Sequence, residues 1–363
     1  MGSSMYSAIA SQPVRVMRVL SMVTLFHTIS CGGGGGSSPT TPGGSSPTTP
    51  SGTLAAPAFL TAGTVSLRER TVPLTWGAVS NASAFVIEVS ASAEFSNPTT
   101  INTPDASTSF TLTNAPLGHS FARVRAKNDA GTSNPSIPIA FTVVDFQNFI
   151  EALFLGTGPL EAPNDPLPCV NIAPGVTRGV LHGFARGANV PVRVASALSG
   201  SVQNLLREQV ATIPVATVGR LNTTFELSAD PDPPQRDSEI VLAFSPDTVR
   251  LCGNALACGQ IPFLSLGLMR SAKFTYSPTI GDVPAVHEVA HLLGMCHVSA
   301  ELIGGRPTNS LMGRFAVLPT SGPPSHDPRL TPWDIEALKA VYGSSLQPGA
   351  VRSDFVAAGL ATP

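Results

Sequence analysis

The stretch HEVAHLLGMCH, residues 287–297, brings three of the chain's seven histidines and one glutamate together in otherwise apolar sequence. Residues four apart on a helix share one face, so His287 and His291 can hold one ion through two imidazole rings. Glu288 follows His287 directly and can reach a water on that ion without being a ligand itself. The spacing therefore predicts a helix that carries two metal ligands and a base.

A third ligand, His297, completes the predicted site because Gly294 can redirect the chain. A straight helix would carry residue 297 away from the ion, whereas glycine tolerates positive φ, ends the helix and turns the chain back. Three nitrogen ligands leave one tetrahedral position open for water, which is the arrangement of catalytic zinc. Zinc lowers the pKa of such a water to about 7, and Glu288 is then the expected general base. The reaction implied is peptide-bond hydrolysis with one catalytic Zn²⁺ ion.

The pattern HExxHxxGxxH resembles that of the metzincin zinc metalloproteases, and two further stretches support the resemblance. NSLMG, residues 309–313, is similar to the family's Met-turn, which implies that Met312 lies beneath the three histidines as an apolar floor. LTPWDIEALKAVYG, residues 330–343, resembles the last helix of matrixin-like catalytic domains. The resemblance covers about residues 170–345. It implies an α/β (α+β) fold with a twisted sheet and three main helices.

Differences from the metzincin pattern limit which further zinc-assisting residues and metal ions are expected. Arg314 stands where some metzincins carry a tyrosine that assists the zinc, so that role is not expected here. The second, structural zinc of animal matrixins needs several upstream histidines, and His182 is the one that the sequence offers. No second zinc is therefore expected. Calcium stays an open alternative cofactor, because the sequence identifies no site for it.

The spacing of apolar residues predicts the helices and strands of the region 146–345. Apolar, β-rich runs predict strands at 191–198, 238–245 and 274–277. Apolar residues at helical spacing, bounded by caps such as Thr331 and terminators such as Gly343, predict helices at 199–213, 282–294 and 331–343. These elements place a mixed α/β catalytic domain at 146–345 and leave 346–363 as a C-terminal tail.

The preceding segment, 55–145, reads as an all-β sandwich. Short strand-like runs alternate with turn residues, and Phe121 to Arg125 alternate arginines with apolar residues. Trp76 in the run LTW and the stretch 112–136 resemble fibronectin type III domains. The resemblance implies a core role for Trp76. It places the family's corner tyrosine at Phe121, which lacks the hydroxyl. The segment is expected to act as a spacer or adhesion module.

The N-terminus is similar to a bacterial lipoprotein signal. Two arginines precede the short apolar run 19–30, which is too short to span a bilayer and ends at Cys31. The resemblance predicts a signal peptide over 1–31 with lipidation of Cys31, and a Gly/Ser/Thr/Pro linker over 32–54. An ordinary cleaved signal with a chance cysteine is the alternative. The protein is thus expected to be exported, anchored at the membrane and facing the cell surface or periplasm, or else secreted.

Composition limits the classes of partner. The chain has 363 residues, 12% of them charged, and a net charge of -2. This length favours two domains with linkers. The absence of a basic stripe argues against nucleic acid as a partner. Protein or peptide substrates, and the membrane through the lipid anchor, are the expected partners.

The remaining four cysteines have alternative roles in an exported protein. Cys252 and Cys258 close a small loop, and a disulfide between them is the favoured interpretation. A second disulfide could join Cys169 to Cys296. Alternatively, Cys169 is a thiolate that blocks the zinc.

These predictions combine into a leading hypothesis of a surface-tethered zinc endopeptidase. One alternative is an adhesion or binding lipoprotein that keeps the metzincin fold without activity. Another is zinc-assisted amide cleavage on cell-wall peptides, which would use the same site.

Overall fold

The computed structural model describes residues 54–162, 165, 169–170, 176–246, 257–277, 282–303, 309–314 and 329–363. The predicted signal peptide with Cys31, the linker up to residue 53, and Cys252 lie outside the described residues. No helix within the described ranges is both long and apolar enough to cross a membrane.

Antiparallel strands build the first part of the described chain. They run in the order β1 (Leu60–Ala62), β2 (Val72–Trp76), β3 (Ala84–Ser90), β4 (Thr99–Asn102), β5 (Ser109–Leu112), β6 (Gly118–Asn128), β7 (Gly131–Thr132) and β8 (Ile139–Val143). One sheet has the order β1-β2-β5, and the other has the order β4-β3-β6-β7 with β8 also paired to β6. The predicted all-β segment is confirmed.

Alternation along β6 shows why these residues form a two-layer structure. Ala122, Val124 and Ala126 are fully buried, while the arginines between them face the other side of the sheet. Trp76 is 2% exposed and packs edge-on against Phe85, with ring centroids 5.2 Å apart. Trp76 is therefore a core residue, as the sequence predicts.

A mixed sheet organises the second part. Its strands are β9 (Ala188–Ala195), β10 (Leu221–Ser228), β11 (Ile240–Phe244), β12 (Ala257–Gln260) and β15 (Ala272–Tyr276), in the order β10-β9-β11-β15-β12. All pairings are parallel except that of β12 with β15. Short ladders join β13 (Phe263–Ser265) to β14 (Leu268–Met269), and β16 (Val298–Ser299) to β17 (Gly313–Arg314). The arrangement is consistent with the predicted mixed α/β class.

Five helices are present in the described chain: α1 (Phe146–Leu155), α2 (Gly200–Ala216), α3 (Asp282–His291), α4 (Pro332–Gly343) and α5 (Arg352–Ala357). Three of them match the predicted helices, whereas α1 and α5 were not predicted. Residues 149–155 of α1 are all buried, so this helix lies inside the folded unit.

The predicted C-terminal tail is wrong as a separate element. Residues 346–363 include α5, and Leu346, Phe355 and Leu360 are buried. Val351 also forms an isolated bridge with Val180. The burial of these apolar side chains makes the segment part of the folded unit.

The sandwich and the α/β part belong to one compact unit, Leu54–Pro363. Glu336 on α4 joins them, because its carboxylate accepts hydrogen bonds from the Ser66 hydroxyl and from the backbone N–H groups of Leu67 and Arg68, at 2.7, 2.9 and 3.3 Å. Leu67 is fully buried. The sandwich is thus held in a fixed place by a carboxylate of the α/β part.

Replacing Glu336 by glutamine is expected to lower the free energy of unfolding by about 1–3 kcal/mol. The amide nitrogen would face one of the N–H donors and leave it without an acceptor. Urea unfolding measures the change, and Glu69→Gln, at an exposed position of the same turn, is the matched control. Equal stability of the two variants would contradict a joining role for Glu336.

Candidate metal centre

Helix α3 and the turn after it bring three imidazoles together. His287 and His291 lie one turn apart on α3, and Gly294, with φ 90°, follows in the turn. A Cβ at position 294 would lie 2.5 Å from the His182 carbonyl oxygen, so both conformation and space require glycine. The chain then places His297 back beside the helix.

The three rings offer one nitrogen each to a common point. The candidate ligand atoms of His287, His291 and His297 all lie within 4.8 Å of one another. Their ring centroids are 4.9 to 5.1 Å apart. His287 and His291 are buried, and His297 is half-buried.

Each ring uses Nδ1 for a hydrogen bond to another part of the protein. His287 Nδ1 contacts the carbonyl oxygen of Leu311 at 3.1 Å, and His291 Nδ1 contacts that of Met295 at 2.8 Å. Because carbonyl oxygens only accept, these two Nδ1 atoms carry the protons. The Nε2 atoms therefore hold the lone pairs that a metal ion binds.

A cation could bind these lone pairs. His287 Nε2 and His297 Nε2 are 3.0 Å apart. A single shared proton would satisfy these two atoms but not the third ring. Burial, with a smaller contribution from His297, lowers the pKa of His287 to about 3 and that of His291 well below its usual value. A divalent ion with tetrahedral nitrogen preference, such as Zn²⁺, fits this donor set.

Glu288 lies on α3 beside the first ligand and is 3% exposed. Burial raises the pKa of its carboxyl group to about 8. The charge of Glu288 in turn contributes to raising the pKa of Tyr276, after burial, which has the larger effect. A carboxyl group with this affinity for a proton is suited to general-base chemistry near neutral pH.

The loop predicted as a Met-turn pairs with β16, which begins at the residue after His297. Met312 is fully buried, and its carbonyl oxygen accepts from the Val298 N–H at 3.0 Å. Pairing of β16 with β17 continues this contact. The loop is thus joined to the residue that follows His297.

Asp334 fixes the same loop and was not predicted as a site residue. Its carboxylate accepts from the Ser310 hydroxyl at 2.5 Å and from the Leu311 N–H at 2.8 Å. The carbonyl of Leu311 is the partner of His287 Nδ1. The signal in the sequence is the capping box that Thr331 forms with Asp334. The capping box indicates where helix α4 begins. It does not indicate that the Asp334 carboxylate also binds the loop that contains Ser310 and Leu311.

The pairing of Cys169 distinguishes between its two predicted roles, a disulfide partner of Cys296 and a thiolate that blocks the zinc. Cys169 and Cys296 form a disulfide with a Cα–Cα distance of 4.3 Å. The sulfur of Cys169 is bonded to its partner, so the alternative of a zinc-blocking thiolate is wrong for this structure. Cys258 is disulfide-bonded as well, while its predicted partner Cys252 lies outside the described residues.

Two further residues complete the surroundings of the rings. His182, the upstream histidine, is buried, and its Nε2 contacts the carbonyl oxygen of His291 at 2.9 Å. Burial lowers the pKa of His182 to about 4. Asp165 Oδ2 lies 2.6 Å from Nδ1 of His297. No local pattern predicts Asp165, because it is 132 residues from its partner.

Comparisons with known proteins concern the sandwich. No protein-family model matches the chain, and no curated protein matches it. A fibronectin type III-like protein from Clostridium thermocellum is 25% identical over 25% of this chain and 95% of its own, with a TM-score of 0.23. The third fibronectin III domain of human KIAA0343 protein is 18% identical over 28% of this chain and 94% of its own, with a TM-score of 0.22. At these scores the similarities add nothing to the strand order described above.

Proposed function

We propose that the chain is a zinc-dependent endopeptidase of the metzincin type. The observation that carries the proposal is the convergence of three imidazole Nε2 atoms whose Nδ1 atoms are all engaged elsewhere. Catalytic zinc sites with three protein ligands have this arrangement. The buried carboxyl group of Glu288 on the same helix supplies the second requirement, a base.

The roles of the chain's own residues follow from these positions. His287, His291 and His297 would hold the ion, which when bound supplies Lewis acidity toward a water and a peptide carbonyl. Glu288 accepts the proton of the attacking water and passes it to the leaving amine. Asp334 holds the loop whose carbonyl oxygen orients His287. Glu288 is thus the residue that transfers protons, whereas the three histidines bind the ion and Asp334 positions one of them.

Export and lipidation at Cys31 stay predictions from the sequence. If they hold, the site would act outside the cytoplasm on proteins or peptides. The sandwich, which contacts α4 through Glu336, would then lie between the linker and the catalytic part.

Zinc content tests the proposal directly. The purified protein is expected to hold about one zinc ion per chain, to lose casein hydrolysis with a chelator and to regain it with added zinc. His291→Ala should lose both metal and activity. His119→Ala, which removes an exposed histidine of the sandwich, should keep both. Folded wild-type protein without metal, or casein hydrolysis that survives in His291→Ala, would refute the proposal.

A further inference from the structure

His297 differs from the other two candidate ligands in the group that its Nδ1 contacts. The other two rings donate to neutral backbone carbonyl oxygens. Nδ1 of His297 instead lies 2.6 Å from the carboxylate oxygen Oδ2 of Asp165. Among the described Nδ1 contacts of the three rings, this is the one made to an ionisable side chain.

The contact is shielded from water, which strengthens it. The side chain of Asp165 is 5% exposed and that of His297 is 15% exposed. Hydrogen bonds to an ionised acceptor are shorter and stronger than those between neutral groups, and a low local dielectric adds to the difference. A buried carboxylate at this position also offsets part of the charge of a divalent ion on the other side of the ring.

The segment that carries Asp165 is anchored to the same turn as His297. The backbone carbonyl of Asp165 accepts from Arg178 Nη2 at 2.9 Å. Four residues further on, Cys169 is bonded to Cys296, the residue directly before the ligand. The segment is therefore anchored at Asp165 itself and again four residues further on.

We propose that Asp165 is a positioning residue that orients His297, keeps the proton on Nδ1 and raises the strength of Nε2 as a metal ligand. The inference rests on the proposed metal site. A carboxylate on the far nitrogen of a ligand histidine fixes the tautomer and increases the electron density on the ligating nitrogen. Asp165 itself touches neither the ion nor the substrate.

Two substitutions of Asp165 separate the effect of its charge from its effect on the orientation of the His297 ring. Asp165→Asn keeps an oxygen acceptor and removes the charge, while Asp165→Ala removes both. Zinc dissociation constants are measured by competition with a chromophoric chelator, and the visible absorption of the Co²⁺ form reports ligand strength. Zinc affinity is expected to fall about tenfold in Asp165→Asn and about 100-fold in Asp165→Ala. The Co²⁺ bands should shift in both variants.

Asp129→Asn is the matched control. It makes the same carboxylate-to-amide change at an exposed position of the sandwich, and it should leave both the dissociation constant and the Co²⁺ bands at wild-type values. Wild-type zinc affinity in Asp165→Ala, or an equal loss in the control, would overturn the role of Asp165. Graded affinities without any proteolysis would refute the proposed function and support the role of Asp165. Folded wild-type protein that binds no zinc would overturn both.

Discussion

Glu288→Gln is expected to lower the rate of casein hydrolysis by roughly 10²- to 10⁴-fold while the zinc content stays at the wild-type level. Glutamine has nearly the same shape but cannot accept the proton of the attacking water. The three imidazoles proposed to hold the metal are unchanged by the substitution. Loss of activity with retained metal would therefore assign the proton transfer to this side chain.

Thermal unfolding of the metal-free variant tests whether a loss of stability causes the loss of activity. Burial raises the pKa of Glu288 from 4.5 to about 8, so the folded, metal-free protein binds a proton that the unfolded chain releases. Stability from this group is complete below about pH 4.5 and falls as the pH rises through about 8. Glutamine has no proton to lose. The metal-free variant should thus unfold at the same temperature as the metal-free wild type, or higher, at pH 7.

Substitution of a second glutamate, Glu226, is the control for Glu288→Gln. Glu226 on β10 is exposed, and Glu226→Gln makes the same chemical change away from the histidines. It should keep full activity and full zinc content. Casein hydrolysis near the wild-type rate in Glu288→Gln would show that another group takes the proton.

The local parts of the site could be predicted from the sequence because they depend on short spacings. His287 and His291 are four residues apart on one helix, and the positive φ of Gly294 explains the turn that follows. The same is true of the sandwich, where alternation along β6 separates buried from exposed residues. Such patterns need no knowledge of distant contacts.

The contacts that support the ligands could not be predicted, because they join residues far apart in the chain. Asp165 reaches His297 across 132 residues. Asp334 has an evident role as a helix-capping partner, but its contact with Leu311 depends on how α4 packs against the loop. Helix α1 is a different case, because Phe149, Ile150 and Leu153 recur at helical spacing and the sequence therefore carried a signal that was missed.

Removing the disulfide between Cys169 and Cys296 is expected to lower the free energy of unfolding by about 2–5 kcal/mol. The bond joins residues 127 apart, and a crosslink over so long a loop restricts the unfolded chain strongly. Urea unfolding of Cys169→Ala/Cys296→Ala measures the loss. Alanine is the suitable replacement because both cysteines are buried and a serine hydroxyl would need a hydrogen-bond partner there.

The single variant Cys169→Ala distinguishes the crosslink from side-chain packing. Either substitution removes the same bond, so the single variant should lose nearly as much stability as the double variant. If packing of the two sulfur atoms were the main contribution, the losses would instead accumulate from one substitution to the next.

The position of the disulfide beside the candidate metal site gives a second reason for a large effect. The disulfide fixes residue 296 next to His297, and the Cys296 N–H also donates to the carbonyl oxygen of Leu153 at 2.5 Å. Loss of the bond should therefore weaken zinc binding as well as folding, and zinc affinity at the wild-type level in the double variant would show that the turn is held without the disulfide.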